Sequence, residues 1–120
     1  MTMQSSTSTN STINTIRKDR EFRQVYKYSK SMANKLLIIY IMPNQSESNR
    51  VGLTVSKKVG KSVVRSRVKR LMKESFRLNH HRIKSGYDIV FVARVGCNEA
   101  TYQEIESAML HLLKKMKLYK

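Results

Sequence analysis

The residues of this chain best suited to protein-borne chemistry are few: three histidines, one cysteine and two aspartates. His80 and His81 are adjacent, so their side chains point in different directions, and His111 falls in a later, separate segment. No HExxH, CxxC or G-x-S-x-G pattern occurs. Cys97 has no second cysteine with which to form an internal disulfide or a thiolate metal site. Asp19 and Asp88 each have a local explanation, one as a helix cap and the other in a turn. The residues therefore predict no catalytic side chain and no protein-held metal. A nuclease or metalloenzyme built on the histidines is the rival reading.

What the chain carries in quantity is positive charge. Its 120 residues include 24 lysines and arginines against 8 acids, a net charge of +16. A small domain gains nothing from that excess, which self-repels, so a polyanionic partner is expected: nucleic acid first, an anionic membrane surface second. The charge is also focused, since eleven of the 24 basic groups lie within residues 57–84. Arg65, Lys69, Lys73 and Arg77 form an i, i+4 ladder in which Glu74 is the only nearby acid. Like charges at that spacing destabilise a helix by roughly 0.2–0.5 kcal/mol per pair unless something neutralises them. Phosphates would do so, and arginine suits bidentate phosphate contact better than lysine. Before the helix, "SKKVGKS" adds Lys57, Lys58 and Lys61 and the free backbone N–H groups of a helix N-terminus. It is not a nucleotide-binding P-loop, because G-x-x-x-x-G-K-[ST] is absent.

These side chains need a scaffold, and the hydrophobic pattern supplies one. Asp19 is a candidate N-cap for a short helix with Phe22, Val25 and Tyr26 on one face. "KLLIIYIM" (Lys35–Met42) predicts a strand buried on both faces, ended by Pro43. "RVGLTVS" (Arg50–Ser56) alternates and predicts a second strand, antiparallel to the first in a hairpin. With Ser62 as N-cap, Val64, Val68, Leu71, Met72, Ser75 and Leu78 form the apolar seam of the basic helix. "YDIVFVARV" (Tyr87–Val95) predicts a third strand. The last helix carries Tyr102, Ile105, Met109, Leu112, Leu113 and Met116 at helical spacing, with a Thr101–Glu104 capping box. The order α-β-β-α-β-α gives one small α+β domain, a sheet covered by helices.

The aromatics have two readings. By composition, Phe22, Tyr26 and Tyr40 are core residues; beside a basic surface they could instead stack on unpaired bases, at about 1–3 kcal/mol each.

Taken together, "RVGLTVSKKVGKSVVRSRVKRLMKESF" (Arg50–Phe76) resembles the signature segment of the bacterial ribonuclease P protein subunit. That signature joins a strand, a lysine-rich turn with glycine, and a helix with an Arg-Asn-Arg core followed by Lys-Arg. "REFRQVYKYSKSMANKLLIIY" resembles the family's first helix and strand, and "YDIVFVARVGCNEATYQEIESAMLHLLKKMKLY" its last strand and helix. The likeness spans residues 16 to 119. One position departs: the central asparagine is Ser66 here, between Arg65 and Arg67. The resemblance implies an accessory subunit of a ribonucleoprotein endoribonuclease. A large RNA, using Mg2+, removes the 5′ leader of precursor tRNA. Lys57, Lys58, Lys61, Arg65, Ser66, Arg67, Lys69, Arg70 and Lys73 would contact the ribonuclease P RNA. Phe22, Tyr26, Ala33, Asn34, Lys35 and Tyr40 would form a cleft for the single-stranded leader. It also implies a left-handed βαβ crossover, the ribosomal protein S5 domain 2-like arrangement, against the right-handed rule for such units. A ribosomal or other structural RNA-binding protein is the runner-up.

The remaining bounds follow from length and termini. One domain is expected over residues 16–120, behind a disordered polar tail, 1–15, whose fifteen residues carry no charge and include nine serines or threonines. No apolar run approaches the roughly 18 residues of a spanning helix. A lone cysteine fits a reducing compartment, so a cytoplasmic protein, monomeric when free of RNA, is expected.

Overall fold

The computed structural model describes residues 14–120; most of the expected polar tail lies outside the described residues. The helices form where the periodicity places them: α1 at Asp19–Tyr28, α2 at Ser62–Asn79 and α3 at Tyr102–Lys115. Five strands accompany them: β1 (Asn14–Thr15), β2 (Lys30–Ala33), β3 (Leu37–Pro43), β4 (Arg50–Val55) and β5 (Tyr87–Ala93). They make a single mixed sheet in the order β1-β4-β5-β3-β2. β5 runs parallel to β4, with Leu53 opposite Phe91, and antiparallel to β3, with Ile39 opposite Phe91.

This order corrects the expected hairpin. β3 and β4 do not pair, because β5 lies between them. Ile89, Val90 and Phe91 are buried in succession, on both faces of the sheet, and a strand apolar on both sides belongs at the centre. The connection from β4 to β5 therefore becomes a parallel crossover through α2. Two strands were not foreseen. β1 is two residues long and adds parallel to β4, while β2 is exposed along its length and pairs with β3 at the opposite edge. Neither carries an apolar alternation to announce it.

The two sheet faces are unequal. α2 and α3 cover one, where Val68, Met72, Phe76, Ile105, Met109 and Leu112 meet Leu37, Ile39, Val51, Ile89 and Phe91. α1 covers part of the other, burying Val25 against Val90 and Ile16 with Phe22 and Tyr40 alongside. At ten residues α1 is too short to cover that face, so β3 is not buried on both sides as expected: Ile38, Tyr40 and Met42 stay partly open.

Helix ends differ from expectation by one residue at two sites. Lys18, not Asp19, caps α1, and Glu21 accepts from the backbone N–H of Lys18 at 3.3 Å. Lys61, not Ser62, caps α2, because its carbonyl already accepts from the Arg65 N–H at 2.9 Å. The Thr101–Glu104 box of α3 forms as expected. In α2 the seam ends on Phe76 and Asn79 rather than Leu78, which is 47% exposed. Asn79 tolerates burial because its amide donates to the Ser75 carbonyl and to Glu106 of α3, both at 2.9 Å.

Candidate nucleic-acid interface

Along the outer edge of β4, α1 stands on one side of the sheet and α2 on the other. β1 ends after Thr15, so among the described residues the edge beyond Val51 has no neighbouring strand. A cavity of about 390 Å³ opens there between Ile16, Phe22, Val51, Leu53 and Phe76, rimmed by Arg17, Lys69 and Lys73. A second, more open hollow of about 530 Å³ continues it past Phe22 and Tyr26 to Thr54 and Val55, beside Arg23 and Lys69. The floor is apolar and aromatic; the rim is mainly cationic, with Asp19 beside Arg23 in the second hollow.

The three expected cleft aromatics come together. Phe22 and Tyr26 lie with centroids 6.3 Å apart, and Tyr26 meets Tyr40 edge-on at 4.8 Å. Tyr26 is 39% exposed, unusual for a packed ring and suited to a stacking surface. Ala33 lies on the same sheet face one strand over, since it pairs with Ile38 two residues from Tyr40. Asn34 and Lys35 lie elsewhere, lining a separate hollow against α3 with Ser107 and His111. Asn34 is structurally committed there: its Oδ1 accepts from the N–H groups of Leu36 and Leu37, and its amide donates to the Ala108 carbonyl at 2.9 Å.

The basic segment divides. Lys57 and Lys58 sit on an exposed 3₁₀ turn, anchored by the buried Val59, and Lys61 opens α2. Ser66, Arg67 and Arg70 share a shallow surface depression with Ser62 and Val63. Arg65 and Arg67 are each held by a carbonyl, Gly60 at 3.1 Å and Ala100 at 2.7 Å, which fixes the guanidinium planes while leaving further N–H groups outward. Lys69 and Lys73, grouped by sequence with the outer face, line the aromatic cavity instead. The ladder's last member is relieved, since Arg77 forms an ion pair with Glu74.

Arg17 and Arg23 had not been recognised as cleft walls. A groove built from two helices and a strand edge is a tertiary feature, and only the cationic, aromatic composition of residues 17–26 hinted at it. The three histidines do not converge: His80 stacks on Phe76, His81 is solvent-facing, and His111 contacts Asn34. Among the described residues no group of three or more His, Cys, Asp or Glu side chains could hold a metal, and no helix is long and apolar enough to cross a membrane.

A small mixed α+β sheet bearing a basic helix and an aromatic, cation-rimmed groove defines a nucleic-acid-binding protein of a particular kind. Comparison with known proteins gives the family. Residues 11–117 match the family model described as Ribonuclease P. The chain is 69% identical over 106 residues to the ribonuclease P protein component of Alkaliphilus oremlandii, covering 88% of this chain and 93% of that one. Its identity to the protein component from Clostridium botulinum strain Langeland is 56%, over 88% of this chain and 96% of the other. The solved structure of the Staphylococcus aureus RNase P protein superposes with a TM-score of 0.81 at 32% identity, covering 88% and 97%. That of Thermotoga maritima gives 0.78 at 29%, covering 85% and 96%. The chain belongs to the ribonuclease P protein family. It thereby serves tRNA 5′ maturation as the protein component of a ribonucleoprotein endoribonuclease.

Proposed function

We propose that this protein works through two surfaces, one for the catalytic RNA and one for the leader of precursor tRNA. The observation that carries the reading is the groove in which Phe22, Tyr26 and Leu53 lie between cations from two helices, Arg23 of α1 and Lys69 of α2. Such a groove suits single-stranded nucleic acid: aromatic faces stack any base, while lysines and arginines follow the backbone. Tyr40 extends the aromatic surface, and Ala33 leaves the neighbouring sheet face unobstructed. Asn34 supports the β2–β3 turn, and Lys35 beside it offers a peripheral charge.

The second surface runs from Lys57, Lys58 and Lys61 to Ser66, Arg67 and Arg70, with Arg65 held at its edge. These groups would seat the ribonuclease P RNA by its phosphates. Lys69 and Lys73 would stand between the surfaces, where leader and catalytic RNA approach one another. Cleavage belongs to the RNA and its Mg2+; the protein contributes binding and orientation. The free chain is a cytoplasmic monomer in this reading, since its charge opposes self-association.

Reconstitution tests it. Adding the protein to ribonuclease P RNA at low magnesium should raise the rate of leader removal from precursor tRNA above that of the RNA alone. No enhancement would sink the proposal, and cleavage by the protein alone would restore the histidines as candidates.

A further inference from the structure

Gly52 lies in β4, opposite Val90 of β5, under the ring of Phe22. A Cβ at this position would stand 2.5 Å from Phe22 Cε1 and 2.8 Å from Cζ, inside any real contact distance; the next neighbour, Ile16 Cβ, is at an ordinary 3.4 Å. Backbone conformation does not require glycine here, since the left-handed glycines are Gly60 and Gly86. A glycine inside a strand otherwise weakens it and marks a close approach. The approaching group is the ring, and the ring separates the two parts of the groove, lining both.

We infer that Gly52 is a positioning residue for leader recognition, its missing side chain setting how deeply Phe22 seats on the sheet. The inference rests on the groove being the leader site. With Gly52 in place, the ring lies flush on β4, 6.3 Å from Tyr26, and leaves space on either side for unstacked bases. A methyl group in its place strikes the far end of a side chain rather than backbone. The ring is therefore what yields: it lifts into the groove and closes the passage between its two parts. A residue serving only the sheet would have the opposite signature, an effect on folding and none on the substrate's leader.

The test uses the protein reconstituted with ribonuclease P RNA and two substrates, precursor tRNA and the same tRNA without its leader. Wild type is compared with Gly52→Ala, Phe22→Ala and the double variant. Gly52→Ala should keep a thermal midpoint near wild type and its affinity for mature tRNA, and lose roughly fivefold or more in affinity for precursor, the scale of one stacked base. The double variant should be no worse than Phe22→Ala, because the methyl group then meets no ring. If Phe22→Ala weakens precursor binding and Gly52→Ala does not, the inference fails while the leader groove stands. If Phe22→Ala has no effect on precursor, the leader groove fails first. Equal losses on both substrates overturn the inference. Should Gly52→Ala fail to fold, the double variant decides: a folded double variant that behaves as Phe22→Ala supports the ring as the cause, and an unfolded one overturns it.

Discussion

Asp88 is buried to 1% exposure, and the two residues that make this tolerable, Arg50 and Asn44, lie 38 and 44 positions earlier in the chain. Arg50 grips it with two N–H groups, Nε to Oδ1 at 3.0 Å and Nη2 to Oδ2 at 2.6 Å; Asn44 donates to Oδ1 at 3.0 Å. The same guanidinium reaches Glu21 of α1 through Nη1 at 2.8 Å, tying the groove's first helix to the sheet. Hydrogen bonds to both carboxylates raise the Arg50 pKa further above its ordinary range. Removing Arg50 leaves a buried carboxylate with one amide for company. Arg50→Ala should therefore cost about 3 kcal/mol in urea unfolding, the low end for a broken buried pair because Arg50 itself is part-exposed. The hydrogen bond from Arg50, then those from the Lys18 and Arg17 N–H groups, hold Glu21 below its ordinary value of 4.5. A depressed acid stabilises the fold above its unfolded pKa and loses that contribution as pH falls through the folded one. Acidification below about 4.5 should thus lower the thermal midpoint of wild type more than that of Glu21→Gln. Parallel curves would show that Glu21 contributes nothing to the acid response. Sequence reading assigned Asp88 to a turn: partners 38 and 44 residues away are invisible to local pattern.

At the scale of elements, the helices were legible because their signals are local. Apolar spacing placed α1, α2 and α3, and Thr101 with Glu104 marked one start correctly. Sheet order was not legible, since β5 wins the central place by burial on both faces, a comparison among strands rather than a property of one. The basic helix shows the same division. Its charge was plain, but only packing against the sheet and α3 turns Lys69 and Lys73 toward the groove that Phe22 lines while Ser66, Arg67 and Arg70 share a separate surface depression. A prediction for that outer face follows. Changing Arg65 and Arg67 to alanine should weaken binding to the catalytic RNA and flatten its salt dependence, by about 0.9 or less in log–log slope for each phosphate no longer neutralised. Circular dichroism must accompany the titration, because both arginines also bond carbonyls of the fold. An unchanged slope in a folded variant would leave α2 a merely solvated helix. Ser66 lies within this face, too short to copy the reach of an asparagine amide.

For the whole molecule, +16 charges on 120 residues set the balance. Like charges crowd closer when the chain folds, so an anion that binds the native surface stabilises it by mass action, about 2.7 kcal/mol at a hundredfold excess over Kd. Sulfate should raise the thermal midpoint more than sodium chloride at equal ionic strength; identical rises would reduce the effect to screening. The order of elements along the chain was enough for the α+β class of the fold, yet the sheet's edges, β1 and β2, escaped it because neither has a sequence signature of its own.

The place of β5 also governs how the chain is made. Synthesis runs from the N-terminus at about 5–20 residues per second, and the strand that joins both halves of the sheet is not complete until Ala93. Until then Leu37, Ile39 and Ile41 of β3 and Val51 of β4 have no strand between them, and α2 has no finished sheet to lie on. The nascent protein is thus a string of apolar strands beside a strongly cationic segment. Mutual repulsion among chains of such charge opposes the pairing of unfinished sheets during the seconds before the centre arrives.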